Sequence, residues 1–202
     1  MIHRRTLLAA AAAAALLHPL AAGAQGDPAS SFIQKRGEAL VAIVNSDAPA
    51  AQKKQQVARL LAEAVDVSGV GRFVVGRYWR TASPDEQREF QTLFQDLLLE
   101  TIAVRFGEFK GLKFQVTGSG RADEESKGVM ASIERPGQPP ANVEWRVADQ
   151  GGTLKVVDLI AEGTSLRLTQ RSEYTSVLQR NGGKFEALLA AMKRQLAQLR
   201  QG

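Results

Sequence analysis

The chain has 202 residues, 44% of them hydrophobic and 23% charged, with a mean hydropathy of -0.18, which is the composition of an ordinary globular domain and excludes a disordered or polytopic chain. Lys plus Arg number 26 and Asp plus Glu 21, so the net charge of +5 is small and interspersed, unlike the clustered basic face of a nucleic-acid binder. The absence of cysteine removes disulfides, thiol catalysis, thiolate metal sites and iron–sulfur clusters together.

Residues 1–24 have the pattern of an export signal. Arg4 and Arg5 precede an apolar run, Leu7–Leu17, and Ala22-Gly23-Ala24 fits a small-residue cleavage site before Gln25. The run is shorter than the roughly 20 residues a bilayer span needs. Arg4-Arg5-Thr6-Leu7-Leu8 also resembles a twin-arginine signal, and the sequence leaves the two export routes open. Both histidines, His3 and His18, fall inside this segment. The expected mature chain therefore has neither His nor Cys, which excludes Ser-His-Asp triads, Cys-His pairs, zinc sites built on histidine and haem–His ligation.

Asp27-Pro28 opens an amphipathic stretch with Phe32, Ile33, Leu40, Ile43 and Val44 at helical spacing, ending near Asn45-Ser46. Asp47 is the expected cap of the next helix, whose buried face carries Val57, Leu60, Leu61, Ala64 and Val65 and whose solvated face carries Lys53, Lys54 and Arg59. Asp66-Val67-Ser68 offers a cap for the short apolar turn Val70–Val75. The strongest boundary is Ser83-Pro84-Asp85-Glu86, a capping box with proline at the first helical position. From it runs a stripe of Phe90, Leu93, Phe94, Leu97, Leu98, Ile102 and Phe106.

At Leu112 the period switches to two. Leu112, Phe114 and Val116, then Val129, Ala131 and Ile133, then Val143, Trp145 and Val147 each alternate with polar residues, predicting half-buried antiparallel strands. In the fourth strand, Thr153–Glu162, both phases are apolar, so it is expected to be covered on both faces. Leu166–Arg180 returns to helical composition, Asn181-Gly182-Gly183 breaks it, and Phe185, Leu188, Leu189, Met192, Leu196 and Leu199 mark a last helix. The fold class is α+β: one domain, residues 25–202, with a four-stranded antiparallel sheet packed by N- and C-terminal helices.

Chemistry is thinly represented. Asp158 and Glu162 sit near a strand end and can in principle pair as acid and base, but no second motif joins them. Arg77-Tyr78-Trp79-Arg80 mixes cations with aromatic rings, a pattern that suits either an anionic head group or the closing of a core with solvated arginines. Helix and strand faces between them supply one large apolar interior. Periodicity leaves open whether it is filled or hollow.

Three segments, Gly71–Pro84 (GRFVVGRYWRTASP), Val157–Ser165 (VDLIAEGTS) and Thr169–Tyr174 (TQRSEY), together with Asn181-Gly182-Gly183, resemble the MlaC / toluene-tolerance family of periplasmic phospholipid-binding proteins in order and spacing. Gln170-Arg171-Ser172-Glu173-Tyr174 and Asn181-Gly182-Gly183 are also similar to the HpnM-type branch associated with hopanoids, and Thr164 stands where relatives commonly carry Val. The resemblance implies a twisted sheet and helices around a hydrophobic lipid pocket. It implies pocket walls on Phe73, Val74, Tyr78, Phe90, Phe94, Leu97, Leu98, Ile102 and Phe106 from helices, and on Phe114, Val116, Val129, Ile133, Val143, Trp145, Val147, Val156 and Ile160 from strands. Arg72, Arg77 and Arg80 are the candidate contacts to a head-group phosphate. It further implies a monomeric periplasmic shuttle carrying phospholipid or hopanoid between an outer-membrane lipoprotein complex and an inner-membrane ABC transporter, with no catalytic residue, cofactor, metal or nucleic-acid partner. Open beside this reading are a carboxylate-dependent periplasmic enzyme and a ligand-free adaptor or chaperone with a filled core.

Overall fold

Four of the six described α-helices begin where a side chain accepts from one of their first free backbone N–H groups. In the computed structural model, which describes residues 27–201, Asp27 accepts from Ser30 N at 3.3 Å and starts α1, Pro28–Asn45. The segment read as an export signal, residues 1–24, lies outside the described residues. Contrary to expectation, Asp47 does not cap the second helix. The chain enters α2 (Ala50–Ala64) through Pro49, with no side-chain cap. Asp66 caps α3 (Val67–Val75) by accepting from Gly69 N at 2.9 Å, and a 3-10 turn, Gly76–Arg80, follows.

The capping box forms as expected. Ser83 N donates to Glu86 Oε2 at 2.7 Å and Glu86 N to Ser83 Oγ at 3.3 Å, opening α4, Pro84–Ala103. This helix stops at Ala103, before Phe106, and residues 104–111 form successive tight turns instead. After the sheet come α5 (Leu166–Arg180) and α6 (Phe185–Leu199). Between them Gly182 and Gly183 take φ of 65° and 79°, and Gly183 N returns to Leu178 O at 2.8 Å.

β1 (Lys113–Ala122), β2 (Lys127–Glu134), β3 (Ala141–Asp149) and β4 (Leu154–Ala161) pair antiparallel in chain order. A fifth strand, β5 (Thr164–Ser165), adds to β4 across the two-residue turn Glu162-Gly163, both in the left-handed region with φ of 51° and 76°. Two residues carry no alternation, so the sequence pattern shows four strands where the fold has five.

The two-phase pattern of β4 has a specific cause. Trp145 pairs with Leu159 and Val147 with Val156, so Val157 is an extra residue that shifts the register. Leu154, Val156, Leu159 and Ala161 thereby share the face of Val143, Trp145 and Val147, while Asp158 and Ile160 stand on the other. Helices α2, α3 and α5 all pack on this strand.

Apolar burial divides into two centres. The first is helical, with Phe90, Leu178, Leu188 and Met192 from α4, α5 and α6 joined by Val74 and Val75 of α3. The second lies between α1 and the sheet, built on Ala29, Ile33, Val129, Val147 and Val156. On the opposite face, buried Arg146 is ion-paired to Asp123 and Glu144 and donates to Ser126 Oγ at 3.1 Å, so its charge is fully compensated.

A buried carboxylate ties the N-terminal and C-terminal helices together. Glu100 on α4 is 5% exposed and accepts from Lys54 Nζ of α2 at 2.5 Å and from Arg200 Nε, just past α6, at 2.9 Å. Burial alone raises a carboxyl pKa, but the two cations outweigh it and hold Glu100 below the usual carboxylate range. Its stabilising contribution is therefore complete above about pH 4.3, the unperturbed value, and lost as pH falls through the lower folded value. Glu100→Gln is expected to lower the unfolding midpoint at pH 7 and to flatten the acid limb, measured by thermal melts from pH 3 to 8. An acid limb as steep as that of the parent chain would assign it to other carboxylates.

Candidate functional site

Between α1 and α2 on one side and the inner face of the sheet on the other lies a cavity of about 280 Å³. Ile33, Gly37, Leu40, Val41 and Val44 line it from α1, and Leu60, Leu61 and Ala64 from α2, with Val65 just beyond that helix. Phe114, Ile133, Ala141, Trp145, Val156 and Leu159 form the sheet wall, and Phe109 and Leu112 close one end. The charged residues in the lining are Arg36 and Arg135. Arg36 is held by Glu63 at 2.8 Å and lies over the Phe32 ring, 5.6 Å from its centre.

Local sequence explains how the walls are placed. A Cβ on Gly37 would meet the Phe114 ring at 2.2 Å, so only glycine lets α1 come this close to β1. Gln34 Oε1, one turn before, accepts from Val116 N at 2.8 Å and anchors the same helix to the strand. Phe114 and Trp145 meet edge to face, 6.4 Å between ring centres, across β2. The Trp145 Nε1 donor is buried without a hydrogen-bond partner.

The residues expected to form one pocket are distributed over several places. Phe114, Ile133, Trp145 and Val156 line the cavity. Val116, Val129 and Val147 belong to the adjoining core under α1, and Val143 is buried on the same face of the sheet without lining the cavity. Ile160 stands on the other face, put there by the bulge at Val157. Phe73, Val74, Tyr78, Phe90, Phe94 and Leu97 pack in or against the helical core. Leu98 and Ile102 are half-buried on α4 and outside the cavity lining, while Phe106 lines a neighbouring hollow. Helix α4 thus turns its aromatic stripe to α5 and α6 rather than to the sheet. The walls missing from the sequence reading come mainly from α1 and α2, whose stripes were visible there but were not matched to the strands.

Arg72, Arg77 and Arg80, read as head-group contacts, line neither hollow. Arg72 is exposed on α3 and donates to Ser68 Oγ at 3.0 Å; Arg77 donates to Tyr78 Oη at 3.1 Å and lies over that ring. Nearby, Arg167 and Arg171 both lie over the Phe73 ring, at 4.4 and 4.7 Å from its centre. Asp158 and Glu162 form no acid–base pair. Asp158 is 8% exposed and accepts from Leu159 N at 2.8 Å, Arg167 N at 3.0 Å and Ser165 Oγ at 2.5 Å, which joins β4 to the start of α5, whereas Glu162 is exposed in the β4–β5 turn.

This sequence and fold match known proteins. Residues 34–194 match the family described as MlaC protein. The chain belongs to the MlaC family. The toluene tolerance protein ttg2D of Pseudomonas putida is 22% identical over 144 residues, which are 71% of this chain and 67% of that protein. A phospholipid-binding protein from Ralstonia solanacearum, solved in complex with a phospholipid, superposes with a TM-score of 0.73 at 22% identity, covering 85% of this chain and 98% of that one. The α+β fold of this MlaC-family chain is thus shared over nearly the whole length of that structure.

Proposed function

We propose that this MlaC-family protein is a periplasmic lipid carrier that shelters phospholipid acyl chain in the cavity beneath α1 and α2 and moves lipid between an outer-membrane lipoprotein complex and an inner-membrane ABC transporter. The observation that carries this reading is the cavity itself, whose lining is apolar except at Arg36 and Arg135. A dry cavity of about 150 Å³ accepts benzene, so about 280 Å³ corresponds by proportion to roughly a dozen carbons. At about 0.8 kcal/mol per CH₂, burying that length is worth on the order of 10 kcal/mol, enough to hold an amphiphile with few polar contacts.

The carrier reading includes no chemistry on the lipid, in keeping with the engagement of Asp158 by backbone and hydroxyl donors. A hopanoid carrier of the HpnM type remains the alternative occupant of the same cavity. Native mass spectrometry of gently purified protein, with solvent extraction of the adduct, is expected to find an intact diacyl phospholipid; an extracted hopanoid would move the assignment to the second branch. Lipid-free protein that takes up nothing from liposomes would overturn the carrier reading, as would release of fatty acid in proportion to protein and abolished by Asp158→Asn.

A further inference from the structure

In its hydrogen-bonding capacity the cavity beneath α1 and α2 is one-sided. The lining side chains that carry polar atoms are Arg36, Arg135 and Trp145. Guanidinium and indole N–H groups donate, and neither group accepts. Among the described residues no Asp, Glu, Asn, Gln, Ser or Thr lines the cavity, so its walls offer no side-chain acceptor and no negative charge.

Two of these three donors are already placed. Arg36 is held by Glu63 at 2.8 Å, and Trp145 Nε1 is enclosed in the sheet wall. Arg135 is different: it is half-buried, and among the described residues its side chain makes no ion pair, hydrogen bond or ring contact. The carboxylate next to it in the chain does not serve it. Alternation turns Glu134 away from the side shared by Ile133 and Arg135, and Lys113 engages it at 3.8 Å. Lys113 pairs with Glu134, so Arg135 stands just beyond the last residue pair of β1 and β2, and the residues that follow, 136–140, are all exposed. Arg135 therefore sits where the apolar lining meets solvent. The wall continues inward along β3 from Ala141 to Trp145, about 13 Å at roughly 3.3 Å per residue.

We propose that Arg135 receives the phosphate of a phospholipid whose acyl chain lies along this wall, and that it makes the carrier selective for phosphate-bearing lipids over lipids whose polar groups are neutral hydroxyls. The inference rests on the carrier reading and narrows its ligand. A cleft lined by cations alone, with low-dielectric walls, concentrates its positive field on an anion. A guanidinium meets a phosphate with two parallel N–H donors, and a phosphodiester brings acceptors only. A hydroxyl brings a donor for which the lining side chains hold no acceptor. Arg135 meets the phosphodiester that ethanolamine and glycerol head groups share, so it does not separate those two.

The test is uptake from liposomes containing phosphatidylethanolamine, phosphatidylglycerol or diacylglycerol, by the full mature chain and by Arg135→Gln, Arg135→Lys and Arg80→Gln. The Arg135 side chain has no partner to lose, so its variants are expected to fold, which circular dichroism checks. The parent is expected to take up both phospholipids in preference to diacylglycerol. Arg135→Gln is expected to weaken both phospholipids about three- to tenfold, between the scale of an exposed ionic contact and that of a charged hydrogen bond, and to leave diacylglycerol unchanged. Arg135→Lys keeps the charge without the fork and is expected to retain part of the preference, while Arg80→Gln changes nothing. Equal handling of the three lipids by the parent and by Arg135→Gln would overturn the phosphate contact while leaving the carrier reading intact. Loss of diacylglycerol together with the phospholipids in a folded Arg135→Gln protein would make Arg135 a part of the wall and overturn the contact as well. Thermal stabilisation by inorganic phosphate alone, abolished by Arg135→Gln, would assign the residue to free phosphate instead of lipid. No uptake of any lipid by the parent chain would overturn both readings.

Discussion

Ala141→Trp is expected to abolish phospholipid uptake while leaving the fold intact. Ala141 opens β3, pairs with Ile133, is only half-buried and lines the cavity. An indole built there has the cavity of about 280 Å³ to enter, and since about 150 Å³ suffices for benzene it takes more than half of the space. Tryptophan is also favoured in strands, and the preceding residues, Pro139 and Pro140, are exposed, so the backbone has little reason to move. Uptake from liposomes is expected to fall at least about tenfold, equivalent to roughly 1.4 kcal/mol, with the unfolding free energy changed by no more than about 1 kcal/mol, the low end for adding volume to an interior. Ala141→Leu is expected to be intermediate. Undiminished uptake by a folded Ala141→Trp protein would place the lipid outside this cavity.

Phe90→Ala is expected to have the opposite signature, a large loss of stability with lipid binding retained in whatever remains folded. Phe90 is fully buried on α4 and meets Trp79, Phe94, Tyr174 and Phe185 with ring centres 5.7–6.1 Å apart. Its truncation leaves a void that this ring cluster cannot close without moving three helices, so about 3–5 kcal/mol should be lost. For a chain of this size that is a fall of roughly 6–20 °C in Tm by calorimetry. Phospholipid uptake well below the transition is expected to stay near the parental value because the void opens in the helical core, not in the cavity under α1. A Phe90→Ala protein of normal stability that fails to bind lipid would put α4 back into the cavity wall.

These two outcomes separate the two apolar centres, a division the residue pattern does not contain. Hydrophobic periodicity identifies which face of an element is buried, since a stripe at helical spacing or an alternation of two has one low-energy side. It says nothing about which buried faces meet. The stripe Phe90–Phe94–Leu97 is legible as apolar, as is Phe185 on the last helix, and its natural reading is as a partner for the sheet, whereas it packs on Phe185 and on Tyr174, which the pattern of α5 does not mark. Helices α1 and α2 took that place because Gly37 lets the first of them close on Phe114 and because Val65 bridges to Val156, bringing the end of α2 onto β4.

The α+β class, the Ser83–Glu86 and Asp66 helix starts, the four long strands and the family are legible in the residues alone, because caps, alternation and turn residues act within a few positions of one another. Tertiary structure alone decided the rest. The one-residue bulge at Val157 sends Ile160 to the outer face and Leu159 to the cavity, and a period-two pattern that is apolar in both phases cannot reveal such a shift. Asp158 can in principle pair with Glu162 as far as the sequence goes, and only the fold shows Ser165 Oγ and Arg167 N donating to it instead. Arg135, one basic residue among 26 in the chain, acquires its place in the cavity wall only when α1 and α2 close over the sheet, a long-range closure that no local propensity encodes.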